Sequence, residues 1–269
     1  MARSTVQGLV WLIVLLGPGR AADAVAGAPL PGQNFTIADP ALTLLWVAPG
    51  TFLMSSTHAA GDDTLVTLTR GYWLGRTEVT QGQWQAVMEA YPLPSQFKGS
   101  ERPVEKVGWE LVMNFCAKLT ERERTAGRLP AGYVYTLPTE AQWEYACRAG
   151  TTGSFAGDVA AMAWTKTNSG GETHPVAQKQ PNAWGFYDMH GNVHEWCADW
   201  YGGYPGGAVN DPAGAATGQF RVHRGGAFST SVGNARSAFR SWVQPSASNV
   251  TIGFRLALAF APPPAPAPK

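Results

Sequence analysis

Between residues 40 and 70 apolar and polar positions alternate in short runs. Leu44-Leu45-Trp46-Val47 is followed by the turn pair Pro49-Gly50 and then by Thr51-Phe52-Leu53-Met54, which predicts two short strands around a turn. Leu65-Val66-Thr67-Leu68-Thr69 repeats every second residue and predicts a third. The period then changes. Thr80 with Gln83 and Thr139 with Gln142 have capping-box spacing, in which the hydroxyl accepts from a backbone N–H and the amide reaches back. Each precedes a narrow apolar stripe, Trp84, Val87 and Met88 in the first case and Trp143, Ala146 and Cys147 in the second. Trp109, Val112, Phe115, Cys116 and Leu119 form a further helical face, and all these side chains are assigned to the core. Gly127 to Pro138 and the chain past Gly150 sustain no period, apart from strand-like pieces at Arg221-Val222-His223 and Ile252 to Leu258. The pattern predicts a loop-rich α+β domain with little regular structure. Its second half has to be pinned by something other than regular ladders.

Composition supports that picture. Gly 31, Pro 20 and Trp 11 in 269 residues disfavour an architecture of long helices, and 45% hydrophobic against 14% charged residues excludes a disordered chain. The net charge of +1 excludes nucleic acid as a partner attracted by charge. Arg3 precedes an apolar run from Gly8 to Gly17, broken by Pro18-Gly19, and Ala22-Asp23-Ala24 has the small-x-small form of a cleavage site. The run is about half the ~20 residues of a membrane span, so residues 1–24 are assigned to a signal peptide, with no stable membrane anchor and a secreted or periplasmic location. Taking away Arg3, Arg20 and Asp23 leaves basic and acidic residues equal in number. The Ala/Gly/Pro-rich residues 25–39 read as a flexible linker, and 261–269 (APPPAPAPK) as a Pro/Ala-rich tail. Residues 40–260 then form one domain. Cys116, Cys147 and Cys197 show no C-x-x-C or zinc spacing, and one disulfide plus a free thiol or three buried thiols fit equally well.

The segment Asp188-Met189-His190-Gly191-Asn192-Val193-His194-Glu195-Trp196 places two carboxylates, an Asn and a Gly within nine residues. Hard oxygen donors so spaced suit calcium: Asp188 and Glu195 would offer side-chain oxygens, Gly191 and Val193 carbonyls. The alternative is that both acids cap turns. Gly191-Asn192 between His190 and His194 argues for a loop, against a helical two-histidine metal site. No G-x-S-x-G, H-E-x-x-H or P-loop occurs.

Six ordered motifs between Leu44 and Leu258 carry a resemblance: V-A-P-G-T-F-L-M, T-E-V-T-Q-G-Q-W, L-P-T-E-A-Q-W-E-Y-A-C-R-A-G, G-N-V-H-E-W-C-A-D-W, R-V-H-R-G-G-A-F and I-G-F-R-L-A. With A-R-S-A-F-R they are similar to the sulfatase-modifying-factor family, whose best-known member is formylglycine-generating enzyme. The resemblance implies a C-type-lectin-like, formylglycine-generating-enzyme fold stabilised by calcium. It places one calcium site at Asp188, Gly191, Val193 and Glu195, and a second loosely at Asn168 and Gly170. The enzyme oxidises a sulfatase cysteine to formylglycine through a close pair of cysteines that hold copper(I). Here Thr230 stands about where the first belongs, and the segment to Arg240 holds no cysteine. No catalytic residue and no copper are therefore expected.

Two functions follow. One is an exported binding module that presents Ser229, Thr230, Asn234, Phe239, Arg240 and Trp242 to a protein, peptide or glycan ligand, a role that the retroelement-diversified members of the family fill with this same segment. Arg236 and Arg240 could instead anchor the core. The other is an oxidoreductase or peptide- or protein-maturation enzyme of the superfamily that works through a non-cysteine site.

Overall fold

A computed structural model describes residues 27–55 and 63–260. Residues 1–24, read as a signal peptide, and the tail 261–269 lie outside the described residues. In chain order the strands and helices are β1 (Phe35–Ile37), β2 (Leu42–Val47), β3 (Gly50–Met54), β4 (Thr64–Leu68), β5 (Tyr72–Gly75), α1 (Gln81–Met88), α2 (Trp109–Thr125), β6 (Tyr133–Thr136), α3 (Glu140–Arg148) and α4 (Val159–Met162). They continue with β7 (His194–Trp200), β8 (Gly207–Asn210), β9 (Arg221–Arg224), β10 (Ser241–Val243), β11 (Ile252–Gly253) and β12 (Ala257–Phe260).

Both capping boxes form. Thr80 caps α1 and Thr139 caps α3, each hydroxyl accepting from the N3 amide while the N3 Gln returns a bond to the cap backbone. The α2 stripe turns inward as its period requires, burying Val112, Phe115, Cys116 and Leu119. The three N-terminal strands lie where the alternation put them. Phe35–Ile37, within the stretch read as linker, pairs with β2 as an edge strand, so ordered structure starts earlier than composition suggested.

The strands make three short sheets. One runs β1-β2-β5-β12-β6, all antiparallel, and joins the last strand to the first ones. The second runs β10-β9-β7-β11 and the third β3-β4-β8, each ending in one parallel pair. The run Ile252 to Leu258 is two strands in two different sheets, β11 and β12, with Phe254, Arg255 and Leu256 between them.

Two apolar clusters fill the space between these layers. In one, Trp84 stacks on Phe115 at 5.5 Å and Phe254 meets both rings edge-on. The other gathers Trp143, Phe186, Met189 and Val222 against α3 and β9. Cys116, Cys147 and Cys197 are all unbridged and buried, which selects the second of the two cysteine readings. Among the described residues no helix is long and apolar enough to cross a membrane.

Candidate functional site

The segment read as a calcium loop is the hub of the second half. Asp188, Gly191 and Asn192 all take positive φ, of 57°, 95° and 57°, and fold the chain tightly before β7. Asn192 donates from Nδ2 to Glu78 Oε2 (2.7 Å) and accepts at Oδ1 from the His174 N–H (2.9 Å). The Val193 N–H donates to Glu78 Oε1 (3.0 Å). Gly191 N–H reaches Gly225 O, Asn192 N–H reaches Trp164 O, and Phe228 N–H reaches Asn192 O. Side chains and loop carbonyls thus supply the partners that a sheet would otherwise provide.

Glu195 does not stand in that loop but on β7, and it is fully buried. Both of its oxygens are committed: Oε1 accepts from Arg255 Nη2 (2.7 Å), and Oε2 accepts from Arg255 Nε (2.9 Å) and Trp143 Nε1 (2.7 Å). Arg255 donates further to Gly75 O and Tyr187 O. Asp188 accepts the Ala177 N–H at Oδ2, while its Oδ1 is buried without a partner. Among the described residues no three His, Cys, Asp or Glu side chains are grouped to hold a metal ion. Of the two carboxylates only Asp188 has an idle oxygen, and Glu195, spent on Arg255 and Trp143, does not fit the role of a calcium ligand as it stands. Asn168 is likewise engaged, accepting from Thr165 N and donating to Ala163 O, while Gly170 turns the same loop with φ 68°.

Two further buried carboxyls, Glu78 and Asp188, lie within electrostatic reach of the Glu195–Arg255 pair. Burial, then the Asp188 charge, pushes Glu78 well above the usual carboxylate range, and burial lifts Asp188 to about 6.

A second ionic chain lies under the C-terminal loops. Arg240 forms a bidentate pair with Glu140 (2.6 and 2.7 Å) and donates to Gly202 O. Arg224 bonds Glu144 and the Phe239 carbonyl, and Arg148 pairs with Glu144. Arg240 is therefore a core anchor and not a ligand-facing residue, since its three bonds and its burial consume it. Arg236 is half-buried.

The other members of the predicted binding surface divide. Thr230 closes a turn on Ala227, its Oγ1 accepting the Ala227 N–H (2.9 Å) and donating to the Ala227 carbonyl. Asn234 is half-buried in a short 3-10 turn and accepts from Ser231 Oγ (3.3 Å). Phe239 is half-buried. Ser229 and Trp242 are exposed, and Trp242 lies flat on Tyr201 with ring centroids 3.9 Å apart. Behind them Arg221 is sandwiched between Trp109 and Trp200. The sequence gives no individual role to Glu78 and Arg255, which the structure places at the centre of the hub. The available signal was that charged residues sit inside otherwise apolar motifs, T-E-V and G-F-R, where only a buried partner accommodates them.

The thiols hold no reactive pair. Cys147 lies 3.8 Å from His190 Nε2, but burial pushes its thiol up to about 12, and His190 donates from Nδ1 to Ala235 O (2.7 Å).

His194 and His223 pack edge to face at 4.6 Å, each with an unpartnered buried Nδ1. Burial holds His194 down to about 4 and His223 well below its ordinary range. A base lowered in the folded state leaves the unfolded chain with more bound protons below about pH 6.5, so this pair removes stability as pH falls from 6.5 toward 4. Asp188 and Asp199, lifted by burial to about 6 and about 7, act in the opposite sense across that window. The histidine contribution is therefore read as a difference. The stability advantage of the native chain over His223→Asn is expected to shrink by up to ~1.4 kcal/mol per pH unit on acidification, in urea titrations at several pH values. A pH-independent difference refutes it.

Short curled sheets, tryptophan-rich clusters and buried ion-pair hubs define this as a formylglycine-generating-enzyme-like α+β fold. The model of the sulfatase-modifying factor enzyme 1-like domain matches residues 36–260, and the chain belongs to that family. The chaperone protein LppX of Paenibacillus barcinonensis is 31% identical, over 85% of this chain and 91% of its own length. The formylglycine-generating enzyme of Streptomyces coelicolor is 35% identical over 45% of this chain and only 46% of that enzyme. Treponema denticola variable protein 1 superposes with a TM-score of 0.74 and 30% identity, over 84% of this chain and 98% of that one.

Proposed function

We propose that this chain is an exported, non-catalytic member of the family that binds another protein through its C-terminal face. The observation that carries the reading is Thr230. It stands about where the family resemblance puts the first catalytic cysteine, and its hydroxyl is tied in both directions to Ala227. A hydroxyl so held is neither a copper(I) ligand nor an exchangeable thiol. The name of the Paenibacillus relative, a chaperone protein matched almost end to end, supports a role in handling proteins. The contact surface we assign is the stacked pair Trp242 and Tyr201, with Ser229 and Val232 on the loops that lead to it. Trp242 and Val232 are 37% and 41% exposed, and a rigid aromatic pair is the kind of anchor that dominates protein interfaces.

Two measurements test this. A sulfatase-type cysteine peptide incubated with the protein, copper(I) and oxygen is expected to show no aldehyde by mass spectrometry while an active formylglycine-generating enzyme converts it; conversion by this chain overturns the reading. Suppression of aggregation of a heat-unfolded client protein is expected to fall when Trp242 is replaced by Ala, with unchanged melting temperature. Equal activity of native and variant chains would remove Trp242 from the surface.

The cohesive role that calcium has in the resemblance is assigned here to Arg255. Excess chelator is accordingly expected to leave the melting temperature unchanged, because no ion then has to be bound by the folded form alone. A marked fall on chelation would return calcium to Asp188 Oδ1 and the Gly191 and Val193 carbonyls.

A further inference from the structure

A cavity of about 250 Å³ opens between the third sheet, the start of α3 and the loop that follows β7. Its apolar wall includes Met54, Val66, Ala141 and Val209, and exposed residues Gly203, Pro205, Ala213 and Gly214 form its rim. Two polar side chains on its inner wall stand out. Thr64, on β4, is 2% exposed, and among the described residues its Oγ1 has no hydrogen-bond partner. Leaving a buried hydroxyl unpaired is unfavourable, so an idle one facing a cavity is a group waiting for a partner from outside the chain. Asp199, 3% exposed, accepts one hydrogen bond, at Oδ2 from the Glu140 N–H (2.7 Å). Among the described residues it forms no ion pair, although Arg240 lines the same cavity, because Arg240 is committed to Glu140 and Gly202.

The charges around the cavity decide what can enter. Of the charged side chains Arg240, Glu140 and Asp199 line the cavity, while Arg148, Arg224 and Glu144 belong to the same buried ionic network without lining it. Burial, then the charge of Glu140, lifts Asp199 to about 7, so it takes up a proton more readily than an ordinary aspartate and, protonated, offers a donor beside its acceptor. An ammonium ion entering here meets the Arg240 guanidinium, and the one acid paired with it, Glu140, is already spent on that pair. A carboxylate or phosphate meets Glu140 and Asp199. A neutral group that both donates and accepts has no such opponent. The size also limits the ligand: an engineered apolar cavity of about 150 Å³ holds benzene, so this volume admits a ring with a short substituent.

We propose that this cavity is a binding site for a neutral, largely apolar small molecule carrying one hydroxyl group. The hydroxyl reaches Thr64 Oγ1 and Asp199, and the apolar body lies against Met54, Val66 and Val209. The site is distinct from the Trp242–Tyr201 surface, and it stands or falls independently of the protein-binding reading.

The test uses the mature chain with two probes of nearly equal size, 4-propylphenol and propylbenzene, titrated while amide resonances are followed by NMR. The phenol is expected to shift the amides of Ala141, Thr64 and Gly214 and to bind at least tenfold more tightly than propylbenzene. Thr64→Val keeps the shape and deletes the hydroxyl. It is expected to weaken the phenol by about 5- to 20-fold, to leave propylbenzene unchanged, and to raise the melting temperature of the ligand-free protein, because the unpaired group is gone. Ala215→Trp, which fills the cavity, is expected to abolish binding of both. The proposal is overturned if neither probe binds at millimolar concentration to the folded chain. It is also overturned if propylammonium or butyrate binds more tightly than the phenol, or if Thr64→Val lowers the melting temperature, which would mean that the hydroxyl is bonded within the protein.

Discussion

Replacing Arg255 by methionine is expected to destabilise the folded chain by about 3–5 kcal/mol, the range for breaking a buried ion pair on one side only. Arg255 is fully buried, and its four hydrogen bonds tie β7, the end of β5 and the loop at Tyr187 to one side chain. Methionine fills much of the volume but leaves the Gly75 and Tyr187 carbonyls without that donor. It also leaves Glu195 facing Glu78 and Asp188 with no cation among them. The double replacement Arg255→Met with Glu195→Gln is expected to recover part of the loss, because the unpaired charge is removed along with its partner. Urea titration of the two variants checks both statements. A single variant within 1 kcal/mol of the native chain would show that the hub is not needed for stability.

The second large effect is expected at Gly191. A Cβ built there would stand 2.2 Å from the Trp164 carbonyl oxygen and 2.8 Å from its carbon, both backbone atoms that cannot swing aside. The residue also has φ 95°, a region L side chains rarely adopt. Gly191→Ala therefore combines overpacking, typically about 1–3 kcal/mol, with backbone strain of about 1–3 kcal/mol. The expected loss is about 3–5 kcal/mol, with weakened amide-exchange protection at Asn192 and Phe228, whose bonds lie on either side of the contact. Gly170→Ala makes a control, since that glycine has a positive φ but open space around its Cβ position; strain alone then sets its smaller cost. Equal effects at the two sites would show that the contact with Trp164 is relieved cheaply.

These two residues show how the reading from sequence succeeded and where it stopped. Gly191 was singled out within a cluster of oxygen-bearing residues, and its role there was to lend a carbonyl to calcium. The structure gives it a steric role, because Trp164, 27 positions earlier in the chain, runs past it at contact distance. Arg255 was legible only as part of a family motif, since nothing local shows that a guanidinium two residues past β11 meets an acid on β7. Arg240 misled in the other direction. Its neighbours are small and hydroxylated, which looks like a surface, yet its bidentate partner Glu140 is 100 positions away at the start of α3.

The local features were set before any long-range contact entered. Capping boxes at Thr80 and Thr139, the inward stripe of α2, the alternation in β4 and the missing cysteine between residues 225 and 240 are properties of a few adjacent residues, and short-range sterics and hydrogen bonding suffice to fix them. Which acid meets which base was set by folding alone. The pairing of Glu195 with Arg255, the charge balance under Asp199, and the idle oxygens of Thr64 and Asp188 all arise where segments distant in sequence are packed together. Burial raises the energy of every unpaired charge or hydroxyl, and burial is a property of the assembled layers rather than of any stretch of chain.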